Sequence, residues 1–213
     1  MNLDSLRGHP CSPPPRLPSL VAVLLVVPVA SYFLWKNDPL IAKENGLLEI
    51  AQAIFLLLAS VLHSERAFRL KKSALDFTVH AGLALLTLSF ALREIEIDEI
   101  GSSELWASAE RIIRLAAAIL WIGFLVFLVP RIRQIYSCRS AILAMPAVIL
   151  TLCGGLFFLA GWPFDKEIFS ALSHASSALI EEVLELNACI TLLAASLVGS
   201  SQRHAATVFG RSS

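Results

Sequence analysis

Charge is what this 213-residue chain has little of, at 16% Asp, Glu, Lys and Arg, where soluble domains carry about a quarter. With 56% hydrophobic residues and a mean hydropathy of +0.72, a water-soluble domain is excluded and a bilayer is the expected surrounding. The 17 basic and 17 acidic residues cancel, so no global positive field exists to attract a nucleic acid. Also missing are C-x-x-C, H-E-x-x-H, a P-loop and G-x-G-x-x-G, which removes the usual nucleotide and soluble metalloprotease readings. Nothing in the sequence names a cofactor, a metal or a catalytic residue.

What is there instead is a set of six apolar runs near bilayer length: 17–35, 46–63, 74–92, 112–129, 141–162 and 178–200. They predict an all-α fold, a polytopic membrane bundle of about six helices. The fourth helix should begin ahead of its apolar run, because "GSSELWASAER" offers serine caps and an early Glu104, and should stop at Pro130. The fifth run contains Pro146 and the pair Gly154-Gly155, which predicts a kink or a close helix contact. Residues 1–16 read as a proline-rich, disordered cytoplasmic tail, 17–200 as the membrane domain and 201–213 as a second cytoplasmic tail. A signal-peptide reading of the first run stays open, since "VAS" at 29–31 offers small residues for cleavage.

Basic residues set the orientation. With both termini in the cytoplasm, inner segments hold 11 of the 17 Lys and Arg residues. Trp35, Trp106 and Trp162 then share the outer interface as an aromatic belt. In that arrangement Cys11 and Cys138 are inner and Cys153 and Cys189 lie within spans, so no disulfide is expected. The acids segregate independently of this argument: 14 of 17 fall in the outer half.

Three of them sit in the last run. In "SALIEEVLELN", Glu181, Glu182 and Glu185 occupy one arc of about 100° on the helix, with His174 on the same arc nearer the surface. An ionised carboxylate at mid-span costs roughly 3 kcal/mol, so this arc must face other helices, a wet cavity or the interface. On the second span Asn45, Glu49, Gln52, Ser60 and His63 form a polar stripe, and on the third Asp76, His80, Thr87, Glu94 and Asp98 form another. Packed together, the stripes predict a polar seam. Its outer end gathers Glu49, Glu94, Glu181, Glu182 and Glu185, its middle Gln52 and Thr87, and its inner end His63, His80 and Asp76. Crowded carboxylates repel one another, so such a cluster either holds protons near neutral pH or binds a cation. Glu94 stands at a helix C-terminus, where negative charge is disfavoured. Arg93, Arg111 and Arg114 are the candidate charge partners, although Arg114 more simply pairs with Glu110 one turn away.

At "ENGLLEIAQAIFLLLA", "FALREIEIDEI" and "EEVLELNACITLLAASL" the chain resembles a group of small multi-span bacterial inner-membrane proteins with carboxylates at the ends of three helices. The resemblance spans roughly residues 44–200 and implies a bacterial inner membrane and no particular activity. The multi-span zinc hydrolases typified by alkaline ceramidases fit less well: they place three histidines and an acid on one membrane face, whereas here His63 and His80 are inner and His174 is outer. Three functional readings remain: a membrane protein that binds or transports a cation or proton; a membrane enzyme using paired carboxylates on a lipid or periplasmic substrate; and a structural partner whose Glu–Arg contacts lock helices. The expected partners are the lipid bilayer and a cation or proton, with no nucleic acid.

Overall fold

The structure is a computed structural model that describes residues 17–42, 46–71, 73–95, 104–166, 168–169 and 171–198. The two terminal tails and the acidic loop that contains Glu96, Asp98 and Glu99 lie outside the described residues. The chain runs α1 (Leu17–Asn37), a 3-10 turn at Pro39–Ala42, α2 (Leu47–Arg69), α3 (Ala74–Glu94) and α4 (Glu104–Leu128). A 3-10 turn at Val129–Arg131 leads into the short α5 (Ile132–Ser137) and α6 (Arg139–Leu143), then α7 (Pro146–Asp165) and α8 (His174–Leu197). There is no strand among the described residues. Five stretches are long and apolar enough to cross a membrane: Pro18–Asn37, Leu47–Arg69, Ala74–Glu94, Glu104–Ser137 and Pro146–Asp165. The chain is therefore a helical membrane bundle.

The sixth expected span, α8, has the length, at 24 residues, but its three glutamates set its composition apart from the other five. It is also the most internal helix, with eleven buried residues against eight in α2. It packs against α7, α2 and α1, while α3 lies behind α2. Packing against three other helices lets such a helix turn its polar arc toward protein, which is the condition for carrying carboxylates inside a bilayer. Its start is four residues earlier than the apolar run suggests, because Ser173 caps it by accepting from the Ser176 N–H at 3.2 Å.

The fifth run also differs from expectation. Helix α6 ends at Leu143 and a new helix starts at Pro146, with Met145 extended (φ −67°, ψ 127°). Proline at the first helical position loses no bond there and biases the residue before it away from helix. The close contact expected at the glycine pair is real but belongs to one member. A Cβ built on Gly154 would lie 3.1 Å from Leu192 Cγ and 3.2 Å from the Ala188 carbonyl, whereas one on Gly155 meets nothing within 4 Å.

Helix α4 has no buried residue and leans on α3. Trp121 donates its ring N–H to Ser89 Oγ at 2.7 Å, Phe127 meets Phe77 edge-on, and Phe124 lies against Gly82.

The C-terminus of α8 is tied to α2. Arg66 donates to the carbonyls of Val198 and Leu197, the latter at 2.9 Å, satisfying acceptors that a helix end leaves unpaired. Replacing Arg66 with alanine is expected to fray this last turn by about 1.5 kcal/mol, seen as roughly tenfold faster amide exchange in the final turn of α8. Unchanged exchange there would mean that the helix holds its end without the guanidinium.

Candidate functional site

Buried positions on α2 recur every three or four residues and include Gln52, Ser60 and His63; on α3 they include His80, Ala84, Thr87 and Glu94. Each set therefore lies on one helix face. The two faces meet in antiparallel register: Ser60 Oγ donates to the Ala84 carbonyl at 3.0 Å, and His63 Nδ1 lies 3.0 Å from His80 Nδ1. Continued toward the start of α2, this register brings Glu49 opposite Glu94. The carboxylate of Glu49 is accordingly in electrostatic reach of both Glu94 and Glu182.

Helix α8 closes the third side. Gln52, fully buried, donates through Nε2 to the Glu182 carboxylate at 2.7 Å and to the Glu182 carbonyl at 3.1 Å. Arg93 bridges two helices: it bonds Glu94 through Nε at 2.8 Å and Glu185 at 2.7 Å. Its guanidinium lies 5.2 Å from the centre of the Phe158 ring, which in turn stacks on Phe90. One cation thus serves two carboxylates, and the side chains of Glu94 and Glu185 are only 6% and 14% exposed. The acid at the C-terminus of α3 finds its compensating charge one residue away.

At the other end of the seam the His63 and His80 rings are buried with centroids 5.3 Å apart. Thr87 returns its hydroxyl to the carbonyls of Leu83 and Ala84, as a threonine on a helix commonly does. Among the described residues, His63 Nε2 and Gln52 Oε1 are buried without a hydrogen-bond partner. Orphan atoms of this kind call for a partner of their own, such as a water.

Beside the glutamates, a groove of about 480 Å³ opens between the C-terminal ends of α1 and α7 and the start of α8. Trp35 and Phe164 form apolar walls, and Glu181, Glu182, Asp165 and His174 supply the polar lining. Ser177, 3% exposed, also lines it.

The structure brings Glu49, Glu94, Glu182 and Glu185 together around Gln52 and Arg93, with Glu181 one step away in the groove. It sets His63 and His80 in contact, with Ser60 and Thr87 between the two ends. Arg111 and Arg114 stand exposed on α4; Arg114 pairs with Glu110 at 2.5 Å, and neither guanidinium bonds to a cluster carboxylate among the described residues. Asp165, Ser177 and the groove itself were not anticipated. Extending the glutamate arc backwards along α8 would have found Ser177, since 174, 177 and 181 share one helix face. Asp165 and Trp35 arrive from helices distant in sequence and left no local signal.

Among the described residues, no three His, Cys, Asp or Glu side chains converge as a metal site requires. Comparison with protein-family models, curated proteins and solved structures finds no match to this chain.

Proposed function

We propose that this integral membrane protein binds a proton or small cation at the glutamate cluster and passes protons along the seam between α2, α3 and α8. The observation that carries the reading is the pair of buried titratable groups at the two ends of the seam, Glu182 on Gln52 at one and His63 on His80 at the other, with Ser60 and Thr87 on the faces between them, their hydroxyls bonded to helix carbonyls. Ionisable groups inside a span are expensive and are retained where they serve transport or catalysis. A proton suits so narrow a path because it moves between hydrogen-bonding groups without needing a pore. The distribution of basic residues supports a position for the glutamates on the side away from the cytoplasm.

The reading is tested with the full chain reconstituted in vesicles loaded with a pH-sensitive dye, under an imposed pH gradient and membrane potential. Expected is proton flux well above that of protein-free vesicles, cut at least fivefold by Gln52→Leu and by His63→Leu in samples that retain the wild-type melting profile. Wild-type flux equal to that of empty vesicles, at either polarity and in sodium or potassium, would overturn it.

A structural reading has one observation in its favour, the Arg93 bridge between α3 and α8. On that reading Glu185→Gln lowers thermal stability and no flux is seen to be lost.

A further inference from the structure

The groove beside the cluster has a chemistry of its own. Its acids are not equivalent. Asp165 is paired with Lys166 at 2.6 Å and Glu182 is held by the Gln52 amide, but Glu181 has no hydrogen bond or ion pair to a basic group among the described residues. Ser177 lines the same groove, and its hydroxyl has no hydrogen-bond partner among the described residues although the residue is 3% exposed. A hydroxyl on the wall of a groove, without a protein partner, is a donor and acceptor for whatever enters.

The walls narrow the occupant further. A dehydrated metal ion needs convergent oxygen or nitrogen ligands, whereas this groove of about 480 Å³ sets two aromatic side chains, Trp35 and Phe164, beside Asp165, Glu181 and Glu182. That volume falls within the range of small-molecule sites, about 300–1,000 Å³. Aromatic faces beside carboxylates are the usual lining for an organic cation, whose charge is spread over an alkylated nitrogen and whose methylene or methyl groups need apolar contact.

From this lining we infer that the groove binds an ammonium group, with Glu181 as counter-charge, Trp35 and Phe164 as walls and the Ser177 hydroxyl as a further polar partner. The inference rests on the reading of the outer acids as a cation site and names its ligand class. Such a group comes either on a soluble amine or on an ethanolamine- or choline-bearing lipid, whose headgroup would reach the groove from the adjoining leaflet.

The test uses the full chain in detergent and in lipid nanodiscs, with melting temperature as the readout. Choline chloride and ethanolamine hydrochloride are titrated against sodium chloride at matched ionic strength, and phosphatidylethanolamine nanodiscs are compared with phosphatidylglycerol nanodiscs. A soluble source gives a saturable rise of several degrees with the amines and none with sodium. A lipid source gives no rise with soluble amines but a higher melting temperature in phosphatidylethanolamine. In either case Glu181→Gln weakens the effect at least tenfold and Ser177→Ala about threefold, the milder variant standing in where the first does not fold. Identical melting in every salt and both lipids, or a response that both variants keep, would overturn the inference. Proton flux in vesicles is read separately: flux that persists without any ammonium effect leaves the transport reading standing, and ammonium binding without flux removes that reading alone.

Discussion

Gly154→Leu is expected to destabilise the protein by about 3 kcal/mol, while Gly155→Leu, one residue along, costs nothing. At Gly154 even a single added carbon would press on Leu192 at 3.1 Å and on the Ala188 carbonyl at 3.2 Å. The first neighbour is a flexible side chain that gives a little; the second is helix backbone that does not. A leucine there must push α7 away from α8 along the whole contact, opening voids whose lining loses its dispersion partners. Gly155 points into open space, and exchanging it for a better helix former contributes up to about 1 kcal/mol of stabilisation. Thermal unfolding of the two variants in the same detergent decides the matter. Equal effects at the two positions would show that α7 and α8 are not in close contact at Gly154.

Arg93→Met is the second substitution expected to act strongly, at about 3 kcal/mol. Methionine keeps the hydrophobic length of the side chain but removes both ion pairs and the guanidinium's contact with Phe158 at once. Glu94 and Glu185 are then left in a poorly solvated place facing each other's charge. Breaking a buried pair from one side typically costs 3–5 kcal/mol, and the half-exposed guanidinium puts this case at the low end. The loss should be repaired by neutralising what it exposes. Arg93→Met combined with Glu94→Gln and Glu185→Gln is expected to recover more than half of the lost stability in thermal unfolding. Failure of that rescue would locate the contribution of Arg93 in its packing on Phe158 instead of in charge.

Much of this architecture is legible in the sequence. The helical spacing of Gln52, Ser60 and His63, eight and three residues apart, matched by His80, Thr87 and Glu94 at seven and seven, states which faces of α2 and α3 are internal, because helix periodicity is a local property. The carboxylates of α8 announce a protein-covered helix for the same reason: lipid would not tolerate them. Less legible is how partners separated by many residues are chosen. Glu185 could have drawn on Arg93, Arg111 or Arg114, and only the placement of α4 on the outside of α3 decides it. The contact of Arg66 with the end of α8 joins residues 132 apart, with nothing nearby in the sequence to suggest it. At Pro146 the residue was read correctly as a disturbance, but its sign depended on whether a helix already existed before it. Residues 139–143 form a separate short helix, so the proline opens a helix and does not bend one.

The two histidines at the far end of the seam impose a counting rule. Their Nδ1 atoms face each other at 3.0 Å, a separation that accommodates one hydrogen between them and not two. Whichever ring donates, the other must present a lone pair, so both rings cannot be imidazolium together and the pair carries at most one positive charge. A proton arriving at the outward nitrogen of the donor ring is balanced by transfer of the shared hydrogen across the gap, which turns the acceptor into the ring able to release one on its own far side. Afterwards both rings hold the opposite tautomer and must turn over before the step repeats in the same direction. On the proposed proton reading, the pair would act as a turnstile that admits one passenger per reset.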